Sequence, residues 1–290
     1  MEKTKVLVTG SKGQLGECIL DIQNNHPTLN ILFCAKEDFD ITNIELINVF
    51  FEREKYDYLI NCAAYTNVEK AEKESERAFL INAEGAKNLA KVCKKYNTTL
   101  IHISTDYVFD GNTNVPYIEK DVSNPINEYG KSKLKGEEYI QEILKKYFII
   151  RTSWLYSQFG KNFYKTILEK SEIQKDFTIT TSETGTPTNA NDLANFLLQI
   201  IEAKNKNYGI YHFSNLGSAT WYDFAREILK NSGKLKSINL KMTDNYPTFA
   251  KRPKHSVLSK EKVKEKFNLD ILEWKESLRR LMKKNNSKVV

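Results

Sequence analysis

A doubly wound α/β fold, with a parallel sheet covered on both faces and a smaller lobe toward the C-terminus, is what this sequence predicts. Three observations lead there. Continuous apolar runs of strand length alternate with amphipathic runs of helix length through the first half of the chain. The first apolar run ends in three glycines at three-residue spacing, Gly10, Gly13 and Gly16. After about residue 155 the alternation loosens into shorter elements punctuated by Pro187, Pro247 and Pro253. At 290 residues, with 40% hydrophobic and 11% aromatic side chains, the chain is long enough to bury a large core.

In chain order, strands are expected at residues 5–9, 31–35, 58–63, 100–104 and 148–152, and helices at about 43–54, 69–95 and 129–145. The run from Gly10 to Gly16 opens a helix that continues through Ile19, Leu20 and Ile22. Gly10 suits a tight turn, Gly13 lets the backbone approach a pyrophosphate, and Gly16 lets helix and strand pack closely, with the phosphates facing the helix N-terminus. This Gly-x-x-Gly-x-x-Gly form differs from the commoner Gly-x-Gly-x-x-Gly, and in its strand-then-helix setting it reads as a Rossmann-type dinucleotide turn. In such sheets ligands sit beyond the carboxyl ends of the strands. Those ends carry Asn61-Cys62-Ala63-Ala64-Tyr65-Thr66, Ser104-Thr105-Asp106-Tyr107 and Ser153-Trp154, and the small Ala63 and Ala64 suit a wall for a flat ring or ribose. Beyond residue 155 a helix is expected near 162–172, strands near 177–181 and 209–214, and helices near 191–203, 220–231 and 272–284. Residues 1–155 are therefore read as a dinucleotide-binding domain. Residues 156–290 are read as mainly a substrate-binding lobe, partly interwoven with it.

Tyr129 and Lys133 stand four residues apart in a helical run, on one face and within reach of each other. An ammonium near a phenol favours the phenolate and lowers a pKa ordinarily near ~10 toward neutrality, where proton exchange with a carbonyl oxygen is efficient. Thr105 is placed to polarise the same oxygen. The spacing alone is common on surface helices; its weight comes from the glycine loop that precedes it. Reducing a ketone needs a hydride on one face and a proton on the oxygen, which a dinucleotide crevice and one positioned acid supply.

The net charge of +7 is concentrated late in the chain: residues 230–290 hold 17 Lys and Arg against 6 Asp and Glu. Lys262, Lys264, Lys266, Lys283 and Lys284 read best as solvated helix faces, and the bias also suits capture of a doubly charged pyrophosphate. Without interleaved aromatic platforms or a nucleic-acid motif, nucleic acid is not an expected partner. No apolar stretch approaches the ~20 residues that span a bilayer, and the N-terminus enters a strand with no signal-peptide pattern, so a cytoplasmic protein without membrane association is expected. The four cysteines, Cys18, Cys34, Cys62 and Cys93, lack metal-binding spacing and read as reduced core residues.

These motifs together resemble the extended short-chain dehydrogenase/reductases, and within them the dTDP-4-dehydrorhamnose reductase family. The resemblance runs through nearly the whole chain: Gly10 to Gly16, Asn61 to Thr66, Ser104-Thr105-Asp106-Tyr107-Val108-Phe109, Tyr129 to Lys133, Arg151-Thr152-Ser153-Trp154, Gly185-Thr186-Pro187-Thr188 and Arg252-Pro253. It implies catalytic roles for Thr105, Tyr129 and Lys133. It implies cofactor binding by Gly10, Gly13, Gln14, Leu15, Gly16, Asp40, Ile41, Ala63, Ala64, Tyr65, Tyr129 and Lys133, and sugar-nucleotide contacts from Thr105, Asp106, Trp154 and Arg252. The implied reaction is hydride delivery from NADPH or NADH to the C4 ketone of dTDP-4-dehydro-L-rhamnose, in nucleotide-sugar synthesis for surface polysaccharide. Some members place carboxylates after the glycine loop and after the Pro-Thr run to hold Mg at a dimer interface. Here Cys18 and Asn191 stand there, both poor Mg ligands, so no metal is expected and the state is monomer or homodimer.

Two other functions share these motifs. Nucleotide-sugar 4,6-dehydratases and 4-epimerases share the fold and the Tyr-Lys pair, but the dehydratases carry an Asp-Glu pair after the threonine, where this chain has Asp106-Tyr107. The non-catalytic regulatory subunit of methionine adenosyltransferase also looks like these reductases; retention of Thr105, Tyr129 and Lys133 favours an enzyme. Lys36, just past the second strand, suits a 2′-phosphate, so NADPH is expected to serve at least as well as NADH although Glu37 and Asp38 follow. Arg252, stiffened by Pro253, is the expected pyrophosphate cation, and Trp154 the expected cover for the sugar ring. Asn82 fits either a proton relay or a helix-surface amide. His102 and His212 read as core or edge residues.

Overall fold

The computed structural model describes residues 2–287. Strands β1 (Thr4–Thr9), β2 (Leu29–Cys34), β3 (Tyr58–Asn61), β4 (Thr99–Thr105) and β5 (Tyr147–Thr152) fall within about two residues of the expected runs. Their apolar residues alternate between two cores. Val6, Val8, Ile60, Ile101 and Ile150 face one, and Leu7, Leu59, Leu100 and Ile149 face the other. A fully buried aliphatic side chain contributes roughly 1.5–3 kcal/mol, more than the ~1 kcal/mol net of a hydrogen bond. The two-sided apolar pattern therefore selects a sandwiched sheet over one with a wet face.

Shorter strands follow: β6 (Leu155–Tyr156), β7 (Asp176–Thr180), β8 (Thr184–Gly185), β9 (Thr188–Asn189), β10 (Gly209–His212), β11 (Ala219–Thr220) and β12 (Asn239–Thr243). The central sheet runs β2-β1-β3-β4-β5-β10, with every pair parallel. From β1 the chain moves outward to β2 and then to the other side at β3, so the topological switch, where such sheets bind ligands, lies beside the glycine loop. β6 pairs with β9, β7 with β12 and β8 with β11, away from the main sheet.

Helices α1 (Gln14–Ile22), α2 (Ile44–Arg53), α3 (Val68–Ala71), α4 (Ser75–Phe79), α5 (Gly85–Tyr96), α6 (Glu128–Ile143), α7 (Phe163–Ile173), α8 (Ala190–Glu202), α9 (Trp221–Asn231), α10 (Glu261–Phe267) and α11 (Trp274–Ser287) cover these strands. α1 and α8 pack on one face of the central sheet, and α2, α5 and α6 on the other. Tyr156, Phe224, Trp274 and Leu278 centre a separate core under α7, α9 and α11.

The single helix expected over 69–95 is instead α3, α4, a π-helical turn at Leu80–Glu84 and α5. Glu74, at φ −115° and ψ 40°, is not helical and separates α3 from α4. The π turn points Asn82 inward, where its Oδ1 accepts from Tyr65 N at 2.8 Å and its Nδ2 donates to Tyr65 O and Ser132 Oγ. Asn82 is thus buried and ties the loop after β3 to α6; it is not a helix-surface amide. Strand β10, expected in the second lobe, completes the main sheet beside β5, because Ile210 and Tyr211 are apolar on both faces. Several late basic residues are in ion pairs on helix faces: Lys264 with Glu261, Arg279 and Arg280 with Glu276, Lys284 with Asp21. Lys262 differs, reaching inward to donate to the Ile210 carbonyl. No helix among the described residues is long and apolar enough to cross a membrane.

Candidate active site

The glycine loop has the backbone its spacing requires. Gly10 lies at φ +66°, and a Cβ there would stand 2.6 Å from the Ala63 nitrogen; one on Gly16 would stand 2.6 Å from the Ser11 Cα. Side chains at either place would drive β1 and β3, or helix and loop, apart. Gly13 is the N-cap of α1 with no side chain to cap it, leaving first-turn N–H groups to face an anion. Gln14 beside them holds a buried Nε2 with no partner. An open backbone cradle and an orphaned donor at a helix N-terminus fit a dinucleotide pyrophosphate.

A crevice of about 710 Å³ extends from this loop across the strand ends. Gly13, Gln14, Leu15, Ala64, Thr105, Asp106, Tyr129, Lys133, Trp154 and Arg252 all line it. Gly10 and Gly16 lie behind that wall and shape it through their backbones. Asp40, Ile41, Ala63 and Tyr65 do not line it: Asp40 accepts from Thr42 N and Oγ1, Ile41 is buried in the core on the α5 side, and Tyr65 donates its hydroxyl to Glu74. A larger groove of about 1170 Å³ lies at the beginnings of β1, β3 and β4, among Lys5, Glu54 and Asp57. It sits at the end of the sheet opposite to the loops that bind ligands in this architecture.

At the end of β4, Thr105 Oγ1 accepts from Tyr107 N and donates to Asp106 Oδ1, both at 3.1 Å. Tyr129 enters from the first turn of α6, whose N-cap Asn127 accepts from Gly130 N at 2.8 Å. Its ring meets that of Tyr107 edge-on, centroids 5.8 Å apart. The expected lowering of the phenol is not found: burial pushes Tyr129 up to about 12, and the Thr105 hydroxyl beside it offsets this only in part. The reason is where the lysine points. Lys133 Nζ donates to the Ile103 carbonyl at 2.6 Å and lies 3.3 Å from His102 Nε2, and its own pKa is lowered to about 8 by burial.

Asp106 is buried, with its Oδ2 unpartnered and its carboxyl pushed up to about 7 by desolvation. Arg252 Nη2 pairs with Glu69 at 2.7 Å, Nη1 reaches Tyr107 Oη at 3.4 Å, and its buried Nε has no partner. Trp154 adopts φ +44° and stacks on Trp221, ring centroids 3.7 Å apart and 6° from parallel. A second cavity of about 420 Å³, lined by Phe163, Phe177, Tyr246 and Thr248, shares Trp221 and Arg252 with the crevice. Lys12 and Trp221, which line the crevice, Glu69, which pairs with Arg252, and His102, which meets Lys133, are not among the expected site residues. Trp221 opens a helix with a Thr220–Asp223 capping box, and the sequence signals the helix without signalling the stack. Cys18 is buried in α1, and Asn191 is bonded to Gln158 and Asn189.

A dinucleotide cradle at the switch point, leading to a threonine, a tyrosine and a lysine at the strand ends, defines a reductase of the short-chain dehydrogenase/reductase type. The family model described as RmlD substrate binding domain matches residues 4–287, and the chain belongs to that family. It is 34% identical to the dTDP-4-dehydrorhamnose reductase of Aggregatibacter actinomycetemcomitans, over 96% of this chain and 98% of that one. It is 37% identical to the spore coat polysaccharide biosynthesis protein SpsK of Bacillus subtilis, over 98% of this chain and 99% of that one. The crystal structure of dTDP-4-dehydrorhamnose reductase from Bacillus anthracis in complex with NADP superimposes with a TM-score of 0.93 at 35% identity, covering 97% of this chain and 99% of that one.

Proposed function

We propose that this chain reduces the C4 ketone of dTDP-4-dehydro-L-rhamnose to dTDP-L-rhamnose, a precursor of surface polysaccharide, with NADPH or NADH. The observation that carries this is the convergence of Thr105, Tyr129 and Lys133 in one crevice, with the glycine loop at one end and Arg252 and Trp154 at the other. When bound, the dinucleotide supplies the hydride. Gly10, Gly13, Gln14, Leu15 and Gly16 seat its pyrophosphate, Ala64 forms part of the wall, and Lys133 holds ribose hydroxyls. Asp40 and Ile41, with Ala63 and Tyr65, act from outside the crevice wall, by shaping the loops that carry it.

A phenol held protonated through the working pH range by burial is an acid poised to deliver its proton to the oxyanion that forms at C4. Thr105, fixed by two hydrogen bonds, orients that oxygen. Asp106, protonated part of the time near neutrality, contacts a sugar hydroxyl. Arg252 binds the pyrophosphate, Trp154 covers the sugar, and the cavity shared through Trp221 and Arg252 takes the nucleoside end. Where a dehydratase has its glutamate, Tyr107 is a buried ring packed on Tyr129, so the site has a wall in place of the acid/base that elimination needs.

The test is NADPH oxidation with dTDP-4-dehydro-L-rhamnose and with other dTDP-4-keto sugars. The rhamnose precursor should give the highest kcat/KM. A higher value for another keto sugar reassigns the substrate, and dinucleotide binding without turnover of any of them makes this a binding protein.

A further inference from the structure

A buried polar chain crosses the centre of the sheet and ends at the catalytic-type lysine. Thr9 Oγ1, at the last residue of β1, donates to Asn61 Oδ1 at 2.8 Å; Asn61 Nδ2 meets His102 Nδ1 at 3.0 Å; His102 Nε2 meets Lys133 Nζ at 3.3 Å. All four side chains are buried. The hydrogen positions follow from the partners. Asn61 Oδ1 also accepts from the Ala63 backbone N–H at 3.1 Å, so the amide cannot be turned round without setting two donors against each other. Asn61 Nδ2 therefore donates, His102 Nδ1 accepts, and the single proton of the neutral ring sits on Nε2. Burial and the lysine beside it hold the imidazole well below its usual pKa, in keeping with a neutral ring.

An Nε2–H pointing at Lys133 has only one favourable partner there. An ammonium offers three donors and no acceptor; a neutral amine offers a lone pair. We propose that His102, oriented by Asn61 and Thr9, is a positioning residue that holds the Lys133 amine against the Ile103 carbonyl and favours its neutral form. The other groups facing this amine are Glu137, one turn on in α6, and Cys62, beyond β3; both favour the charged form, and Glu137 is itself engaged by Arg151 and Ser104. The chain begins one residue before Gly10, so the loop that seats the pyrophosphate and the lysine that seats the ribose are aligned by the same hydrogen bonds. An amine that gains and loses its proton near neutral pH is matched to proton exchange in a way that an ordinary lysine is not.

This rests on the reductase reading for its purpose, but its test does not. ¹⁵N NMR of the histidine ring and lysine amine nitrogens, assigned with His102 and Lys133 variants, reads tautomer and titration without substrate. His102 should show the Nε2–H tautomer, and Lys133 should titrate near 8. Asn61→Asp, which keeps the bonds from Thr9 and Ala63 but accepts from Nδ1–H, should flip the tautomer. It turns the Nε2 lone pair to the lysine, but its added carboxylate raises the lysine midpoint by charge alone, so this variant is read for the tautomer only. His102→Gln, uncharged and able to turn its Oε1 to the amine as an acceptor, should raise the lysine midpoint by about one pH unit or more, tenfold in proton affinity. An Nδ1–H tautomer in the parent protein, a tautomer unchanged by Asn61→Asp, or a lysine midpoint unmoved by His102→Gln overturns the proposal. Absence of turnover with every keto sugar, with the NMR results as expected, overturns only the function.

Discussion

Replacing Tyr129 by Phe removes one oxygen and leaves the ring. The edge-on contact with Tyr107 and the buried setting in α6 are retained. What is lost is the transferable proton and one hydrogen-bonding group beside Thr105. The latter is worth about 1 kcal/mol of stability, so the variant should fold. A positioned general acid contributes on the order of 10²–10⁴-fold to rate, equivalent to about 3–5.5 kcal/mol of transition-state stabilisation. Lys133 and the glycine loop are untouched, so dinucleotide affinity should stay within about threefold while kcat falls by that factor. Single-turnover NADPH oxidation, alongside equilibrium binding of NADP, separates the two. A Tyr129→Phe enzyme within tenfold of parental kcat at neutral pH would falsify the assignment of the proton donor.

Four further outcomes are expected. Arg252→Ala should raise KM for the dTDP sugar by on the order of tenfold or more, the worth of a charge-assisted bond, with the dinucleotide Kd unchanged; equal losses in both would mean that its pairing with Glu69 supports the fold instead. Gly185→Ala puts a Cβ 2.6 Å from the Trp154 indole, so kcat/KM for the sugar should drop about tenfold while cofactor binding holds, and an unaffected kcat/KM would remove Trp154 from substrate recognition. The Asp106 pKa is raised from 3.8 to about 7 in the fold, so the folded state binds more protons between those values and its stability falls as pH rises through them; Asp106→Asn, which mimics the neutral acid, should be more stable than the parent at pH 8 by roughly a few kcal/mol, with the advantage gone near pH 4 in paired denaturation curves. Lys36→Glu, two residues beyond β2 and exposed, should shift the kcat/KM ratio toward NADH, and an unchanged ratio would show that Lys36 plays no part in cofactor choice.

The elements written in local pattern were legible. Continuous apolar runs placed β1 to β5, and the glycines placed the cradle, because both depend on neighbours in sequence. The Tyr129 to Lys133 spacing located the helix but not the direction of the lysine, which is set by the Ile103 carbonyl and by His102 on another strand. His102 looked like one more position in an apolar strand. Its meaning depends on the β3–β4 register that sets Asn61 opposite His102, and register between distant strands leaves no mark in either segment alone. The Trp154–Trp221 stack joins residues on either side of a long excursion and is likewise a product of tertiary packing. The glutamate at 74 that breaks α3 from α4, and the inward turn of Asn82, were concealed by helical periodicity on both sides.

Strand β10 has a consequence for how this protein comes into being. Until Gly209–His212 has been made, β5 is the sheet's edge, and its Phe148, Ile149 and Ile150 present unpaired backbone on a nascent chain, a template for pairing with another copy. α8, which covers the same face as α1, also arrives late. The first 155 residues contain the whole glycine loop and the Tyr-Lys pair, yet with β5 unpaired they are expected not to fold as a soluble half. A truncation there, or a pause in synthesis between 155 and 212, should yield aggregates in place of a soluble nucleotide-binding fragment, while fusion of residues 190–212 to such a fragment should restore solubility.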